Sequence, residues 1–255
     1  MRYIKLLIEY DGTQYHGWQS QKSGGTIQDI IRGKIFAIIG EKVGLTGASR
    51  TDAGVHALGQ VAVFGTHSRL SPDVIMRALN AKLPADIRIL YSEETNGDFH
   101  PRYAADRKSY FYILSTSESQ TAFLYKYMWD VKTGLNIVAM RQAAQAILGE
   151  HDFSSFRGSG CGSKTQVRTV HSLDISRHRT ISFMTAHVRG DFIKIRIEAN
   201  AFLRYMARNI VGTLVEVGRG NLSPEMLSRI IKCRDRTVAG PTAPAQGLFL
   251  EKITY

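Results

Sequence analysis

The chain is organised around residues 47–64, which read Gly47-Ala48-Ser49-Arg50-Thr51-Asp52-Ala53-Gly54-Val55-His56-Ala57-Leu58-Gly59-Gln60-Val61-Ala62-Val63-Phe64. Polar and charged residues stand between glycines in the first half, and an apolar run predicted to be a strand follows. Because glycine permits tight or left-handed backbone, the pattern predicts a shaped loop rooted in a strand. Asp52, two positions from Arg50, is the candidate catalytic carboxylate. The alternative is an aspartate that only caps backbone N–H groups in a turn.

The composition is that of a globular protein. The chain has 255 residues, of which 44% are hydrophobic and 22% charged, enough for one large domain or two modest ones. Its apolar runs, such as residues 35–39, are far too short to span a bilayer. The N-terminus enters an alternating strand at once and lacks the pattern of a signal peptide, so we expect a cytoplasmic location and no membrane partner.

The charge balance indicates a polyanionic partner. Lys and Arg number 33 against 22 Asp and Glu, a net charge of +11. Many arginines stand among glycines and aromatic residues rather than in a lysine-rich tail, which favours nucleic acid bound in a folded groove. The alternative is a merely basic surface.

The sequence predicts neither a metal site nor a cofactor. Cys161 and Cys233 lack the spacing of metal ligands and are expected to be free thiols. Asp52 and His56 are four residues apart, but no third ligand accompanies them. The glycine motifs of dinucleotide and phosphate loops are absent, and so is the nucleophile motif of serine hydrolases.

Strands and helices are interspersed in both halves of the chain. Apolar alternation predicts strands at 2–10, 60–65, 87–92, 107–114, 167–175, 180–188 and 191–199. Apolar periodicity and capping residues predict helices at 27–39, 72–83, 136–148 and 200–217 and another after Ser223-Pro224. Loops are predicted at 116–130 and 150–166, the latter as a candidate mobile cover, and a turn at 189–191. The order predicts an α+β fold with antiparallel or mixed sheets.

Two further groups of residues fit RNA. Tyr110 and Tyr112 share one face of a predicted strand, where an aromatic ring can stack on an unpaired base. Arg204 and Arg208 are four residues apart in a predicted helix and share a face that can hold phosphates. The alternatives are an ordinary sheet face and a solvated helix face.

Together these residues suit an enzyme that acts on one extruded nucleotide. Chemistry on a base inside an RNA helix requires a pocket for the extruded base and a side chain that fills the space it leaves in the stack. Arg50 can be that side chain. The rival interpretations are a non-catalytic RNA-binding module and a metal-dependent RNA hydrolase.

The motifs resemble the TruA family of tRNA pseudouridine synthases, whose signature is G-x-x-R-T-D-x-G-V-H. The matching segments, in chain order, are Asp11-Gly12, Tyr15-His16-Gly17-Trp18-Gln19, Thr26-Ile27-Gln28, residues 47–64, Phe99-His100-x-Arg102, Lys108-Ser109-Tyr110-x-Tyr112, Asp152-Phe153-Ser154-Ser155-Phe156-Arg157, residues 200–212 and Gly247-Leu248. The resemblance covers nearly the whole chain. Ser49 stands where the family often has Gly, and Pro101 where it often has Ala.

The resemblance implies a pseudouridine synthase fold of two α/β halves, with antiparallel or mixed sheets flanked by helices around a central catalytic cleft. Residues 1–104 would carry the catalytic loop, and residues 105–255 would contribute the substrate-binding Tyr and Arg. The implied partners are the tRNA anticodon stem-loop and a second copy of the chain, in a cytoplasmic homodimer.

The implied activity is an isomerase, free of metal and cofactor, that converts uridine to pseudouridine at positions 38, 39 and 40 of tRNA. Asp52 matches the essential aspartate, and its attack on C1′, its attack on C6 and its removal of a ribose proton all stay open. Arg50 would pair with Asp52, Tyr110 would lie against the target base, and Arg208 would lie near the aspartate. The alternative is a non-catalytic tRNA-binding module of the same fold.

Overall fold

The computed structural model describes residues 1–117, 121–183 and 185–255, with only the backbone at residue 183. The chain forms two compact units: the first unit is Met1–Asp106 with Phe249–Tyr255, and the second unit is Arg107–Leu248. The last residues of the chain thus group with the first unit, whereas the division into 1–104 and 105–255 stays a prediction.

The elements follow in chain order. In the first unit they are β1 (Arg2–Tyr10), α1 (Ile27–Ile39), β2 (Leu45–Gly47), β3 (His56–Thr66), α2 (Pro72–Lys82) and β4 (Ile87–Thr95). In the second unit they are β5 (Arg107–Ser115), β6 (Trp129–Asp130), α3 (Ile137–Ala144), β7 (Gly149–Asp152), β8 (Val167–Phe183), β9 (Ala186–Ala199), α4 (Met206–Gly218) and α5 (Met226–Cys233). The last strand, β10 (Leu248–Thr254), belongs to the first unit from Phe249 onward.

The first unit has a mixed sheet in the order β4-β1-β3-β10, with β2 also paired to β3. The β1–β3, β1–β4 and β2–β3 pairs are antiparallel, and β10 runs parallel to β3. Ile4, Leu6 and Ile8 are fully buried, which confirms the predicted alternation of β1. Helices α1 and α2 begin at the predicted caps, where the Thr26 and Ser71 side chains each accept a backbone N–H.

The second unit has an antiparallel sheet in the order β5-β9-β8-β7, and the short β6 pairs with β5 in parallel. Strands β8 and β9 form one long hairpin. Helix α4 is the most buried helix of this unit, with Met206, Ile210, Leu214 and Val217 in its core stripe. These elements confirm the α+β class with mixed sheets.

The turn predicted at residues 189–191 is wrong, because this segment lies inside β9. Arg189 pairs with Thr180, and the hairpin reverses between Phe183 and Ala186. Glycine suits the strand at position 190, since a Cβ there would lie 2.5 Å from the Phe192 ring.

The helix predicted at 200–217 begins later, at Met206. Tyr205 has φ 63°, a left-handed conformation in which a helix cannot continue, and Leu203 O accepts the Met206 N–H in a turn. Arg204 therefore precedes the helix instead of sharing a helical face with Arg208.

The predicted loop at 150–166 is shorter than expected. Strand β7 occupies its first residues, because Glu150, His151 and Asp152 pair with β8. Residues 118–120 of the predicted loop 116–130 and residue 184 of the predicted strand 180–188 lie outside the described residues. None of the helices in the described part of the chain is both long and apolar enough to cross a membrane.

Candidate active site

The loop that carries Asp52 begins where β2 ends at Gly47 and ends where β3 begins at His56. Its first part is fastened by the side-chain amide of Gln60, which is fully buried. The Ser49 N–H donates to Gln60 Oε1 at 3.1 Å, and Gln60 Nε2 donates to the Ser49 carbonyl at 2.7 Å. Both ends of a buried amide are thus bonded, which fixes the start of the loop.

Thr51 fastens the middle of the same loop. Its carbonyl accepts the Trp18 N–H at 3.1 Å, and its hydroxyl lies 2.7 Å from the Tyr10 hydroxyl in a hydrogen bond. Thr51 is buried, whereas its neighbours Arg50 and Asp52 are exposed and half-buried, respectively. The backbone is held from inside while the two charged side chains keep access to solvent.

Glycines let a second loop, residues 11–25, approach the Asp52 loop closely. Gly17 has φ +84°, and a Cβ there would lie 2.5 Å from the Thr51 carbonyl oxygen. A Cβ at Gly12 would lie 2.0 Å from the Val55 carbonyl oxygen. Such distances exclude any side chain, so both glycines are required for the contact between the two loops.

We expect Gly17→Ala to displace the Asp52 loop and to lower the free energy of unfolding by about 2–4 kcal/mol, from left-handed strain together with overpacking. Gly24→Ala is the matched control: Gly24 has φ +67°, but a Cβ there would have no neighbour within 4 Å. The free energy of unfolding of this control variant should fall by only about 1–2 kcal/mol. Denaturant unfolding measures both, and equal losses would show that the close approach to Thr51 contributes nothing.

His56 belongs to the scaffold of this loop. It is 1% exposed and stacks on Phe249, with ring centroids 4.6 Å apart and planes at 23°. Its Nδ1 accepts a hydrogen bond from the Gly12 backbone N–H at 3.1 Å. The same Nδ1 lies 3.1 Å from Asp11 Oδ1. The side chain thus fastens the 11–25 loop to the start of β3, which is a structural role.

Tyr15 makes another tie from the 11–25 loop. Its hydroxyl donates to Asp86 Oδ1 at 2.5 Å. Burial, and then the hydrogen bond to the Asp86 carboxylate, raise the pKa of the Tyr15 phenol well above its ordinary value. Tyr15 therefore stays a neutral donor at physiological pH.

Tyr110 lies in β5 of the second unit and is 5% exposed. Its ring meets Phe202 edge-on, with centroids 4.9 Å apart and planes at 73°. Tyr112, on the same face, is fully buried and donates its hydroxyl to the Pro244 carbonyl at 2.7 Å. Burial raises the pKa of the Tyr112 phenol far above its ordinary value. The prediction that Tyr110 and Tyr112 share one face of a strand is confirmed, and both side chains on that face are buried.

Arg208 is half-buried in the first turn of α4. Its Nε donates to the Ala243 carbonyl at 2.7 Å, and its guanidinium carbon lies 5.0 Å from the centre of the Tyr205 ring. The guanidinium carbon of Arg204 lies 4.8 Å from the same centre. Both cations hold the ring through cation–π contacts at a residue with strained backbone.

The structure places Arg50 and Asp52 on one loop of the first unit, and Tyr110 and Arg208 on β5 and α4 of the second. The ion pair between Arg50 and Asp52 stays a prediction. Sequence reasoning missed the role of Gln60, although a polar residue inside an otherwise apolar strand is a signal for a buried side-chain tie.

In the described part of the chain, no group of three or more His, Cys, Asp and Glu side chains is arranged to hold a metal ion. Cys161 and Cys233 are free cysteines, as predicted.

Comparison with known proteins gives full-length matches. A protein-family model described as tRNA pseudouridine synthase matches residues 6–104 and 143–255. Proteins named tRNA pseudouridine synthase A are 47% identical in Acetivibrio thermocellus, 44% in Thermoanaerobacter sp. strain X514 and 42% in Geobacter sulfurreducens. Each alignment spans 255 residues and covers 100% of this chain and of its relative.

Proposed function

Because the chain belongs to the tRNA pseudouridine synthase family, we propose that it converts uridine to pseudouridine at positions 38, 39 and 40 in the anticodon stem-loop of tRNA. The reaction is an isomerisation. The bond from C1′ to N1 of uracil breaks, the base turns, a bond from C1′ to C5 forms, and C5 loses its proton while N1 gains one. No atom or electron is needed from a cofactor.

Asp52 is proposed as the catalytic carboxylate. The observation that carries this proposal is the construction of its loop: buried Thr51 and Gln60 hold the backbone, while the half-buried Asp52 side chain keeps access to solvent. A group on a fixed backbone can be aimed at a reacting atom, which is the main requirement for a carboxylate nucleophile or base. Attack on C1′, attack on C6 and removal of a ribose proton are all compatible with this placement.

Arg50 is proposed to act beside Asp52. Its guanidinium would favour the charged form of the carboxylate and enter the base stack when the target uridine is extruded. The exposure of Arg50 supports this proposal, because a buried arginine could not reach into an RNA helix.

Tyr110 and Arg208 are proposed to bind the target nucleotide, Tyr110 by lying against the base and Arg208 by its positive charge. The packing of Tyr110 against Phe202 fixes the ring, which is 5% exposed, and the proposed contact with the base is through that exposed part. A fixed ring loses little entropy in such a contact. Other arginines would contact phosphates of the stem-loop, which the net charge of +11 favours.

The active form is proposed to be a cytoplasmic homodimer. This follows from the family resemblance, and light scattering of the purified protein in solution measures the mass directly. The non-catalytic tRNA-binding module is not favoured, since the relatives are named as synthases.

Mapping of pseudouridine in tRNA tests the proposed positions. Unmodified tRNA transcripts that carry uridine at 38, 39 or 40 are incubated with the protein, treated with a carbodiimide that marks pseudouridine, and read by primer extension. We expect stops at these positions only. Stops elsewhere in the tRNA, with none in the anticodon arm, would contradict the assignment of positions.

A further inference from the structure

Residues 236–244 run beside α4 in the second unit and are attached to it at several points. Gly240 N–H donates to Thr213 Oγ1 at 2.9 Å, and Ala243 N–H donates to the Arg208 carbonyl at 3.1 Å. The approach is close: a Cβ on Gly212 of α4 would lie 1.7 Å from the Pro241 carbonyl oxygen. We name this stretch the 236–244 segment.

Asn209 is the centre of the attachment. It is fully buried, and its Oδ1 accepts hydrogen bonds from Thr242 Oγ1 at 2.6 Å and from Arg236 Nη2 at 3.1 Å. Its Nδ2 donates to the Phe156 carbonyl at 2.8 Å. Arg236 Nη2 also donates to Thr242 Oγ1 at 3.1 Å, so each of these three side chains is hydrogen-bonded to the other two. A satisfied buried network of this kind fixes one conformation of the backbone that carries it.

The end of the 236–244 segment holds two side chains near the proposed substrate-binding residues. The Ala243 carbonyl accepts from Arg208 Nε, and the next carbonyl, of Pro244, accepts from the Tyr112 hydroxyl. Tyr112 lies on the same strand face as Tyr110. A shift of the segment would therefore move the hydrogen-bond acceptor that orients the Arg208 guanidinium.

We propose that Asn209 is a positioning residue for the reaction: through Thr242 it holds the 236–244 segment, so that the Ala243 carbonyl orients the guanidinium of Arg208. This inference rests on the proposed function, which gives Arg208 its place at the target nucleotide. Asn209 itself touches neither substrate nor the reacting atoms in this scheme.

The test uses Thr242→Val, which keeps the shape of the half-buried side chain and removes its hydrogen bonds to Asn209 and Arg236. We expect kcat to fall about tenfold, because misplacement of a substrate-positioning group acts mainly on the reaction step. KM for tRNA should change less than about twofold. Thr242→Ser, which retains the hydroxyl, should restore most of kcat.

The matched control is Thr116→Val, another half-buried threonine of the second unit, whose hydroxyl donates to Asp191 Oδ2 at 2.8 Å. Its melting temperature should fall as much as that of Thr242→Val, while its kcat stays that of the wild type. Equal kcat in Thr116→Val and Thr242→Val would overturn the proposal, because only a general loss of stability would then be measured.

A double-mutant cycle with Arg208→Lys tests whether the effect passes through Arg208. Lysine keeps the charge but lacks the Nε–H that the Ala243 carbonyl accepts, so Thr242→Val should have little further effect in that background. The same tenfold loss in both backgrounds would overturn the proposal. An inactive wild-type protein would instead reject the proposed function and this inference with it, whereas an active wild type with an unaffected Thr242→Val rejects the inference alone.

Discussion

Asp52→Asn is expected to abolish pseudouridine formation, with a loss of about 10⁴-fold or more. Asparagine has the shape of aspartate but no charge, so it cannot act as a carboxylate nucleophile or take up a proton. The backbone of the loop is held by contacts of Thr51 and Gln60, which the substitution leaves in place. The fold and tRNA affinity should therefore be retained.

Asp73→Asn is the control for the change of charge. Asp73 is exposed in the first turn of α2, where its carboxylate pairs with Arg77 at 2.9 Å. Its replacement removes the same negative charge from the same unit and should leave turnover unchanged. The melting temperature, the affinity for tRNA by filter binding, and turnover are measured for both variants. Turnover at the wild-type rate by Asp52→Asn would show that Asp52 is not the catalytic carboxylate.

The second large effect is expected at Tyr110. Tyr110→Ala should lower turnover by about 100-fold, from the loss of the ring that is proposed to lie against the target base. The ring is also 5% exposed and packed on Phe202, so alanine should cost about 3–5 kcal/mol of stability as well. The alanine variant alone therefore mixes two effects.

Tyr110→Phe and Tyr110→Leu separate these effects. Phenylalanine keeps the ring and should retain turnover within about tenfold, because the stacking surface is preserved. Leucine keeps much of the buried apolar volume but has no ring, so it should resemble alanine in turnover and phenylalanine more closely in stability. Single-turnover rates and denaturant unfolding give the two quantities, and equal rates for phenylalanine and leucine would remove the stacking role.

Local patterns predict the parts of this fold that local physics determines. The alternation of Ile4, Leu6 and Ile8 predicts a strand, and the caps at Thr26 and Ser71 predict the starts of two helices, because each signal lies within a few residues of the feature that it causes.

The errors arise where distant residues decide the local backbone. The segment around Gly190 stays in a strand because the preceding residue, Arg189, pairs with Thr180 of β8. The residue is glycine because the Phe192 ring leaves no space for a Cβ. Tyr205 takes a left-handed conformation that its sequence does not suggest. Its ring packs against the distant Gly158, where a Cβ would lie 2.5 Å from the ring.

In the candidate site, the proposed functional side chains could be predicted from the sequence, whereas the residues that support them could not. Asp52, Tyr110 and Arg208 are predicted from sequence motifs, because their residue types and their places in those motifs carry the resemblance on which the proposed roles rest. The supports that hold them are not predicted in this way, since the bond from Gln60 to Ser49 and the bond between Asn209 and Thr242 join positions far apart in the chain or on different elements. Such supports become visible only when the fold brings their partners together.

Release of tritium from C5 of uridine tests the central claim most directly. The bond from C5 to C1′ of pseudouridine replaces the bond from C5 to hydrogen, so tRNA transcribed with C5-tritiated uridine must release tritium when the isomerisation occurs. In a chelating buffer, the wild-type chain should release tritium in proportion to the pseudouridine formed, and Asp52→Asn should release none. Tight binding of this tRNA by the wild-type chain without tritium release would contradict the account.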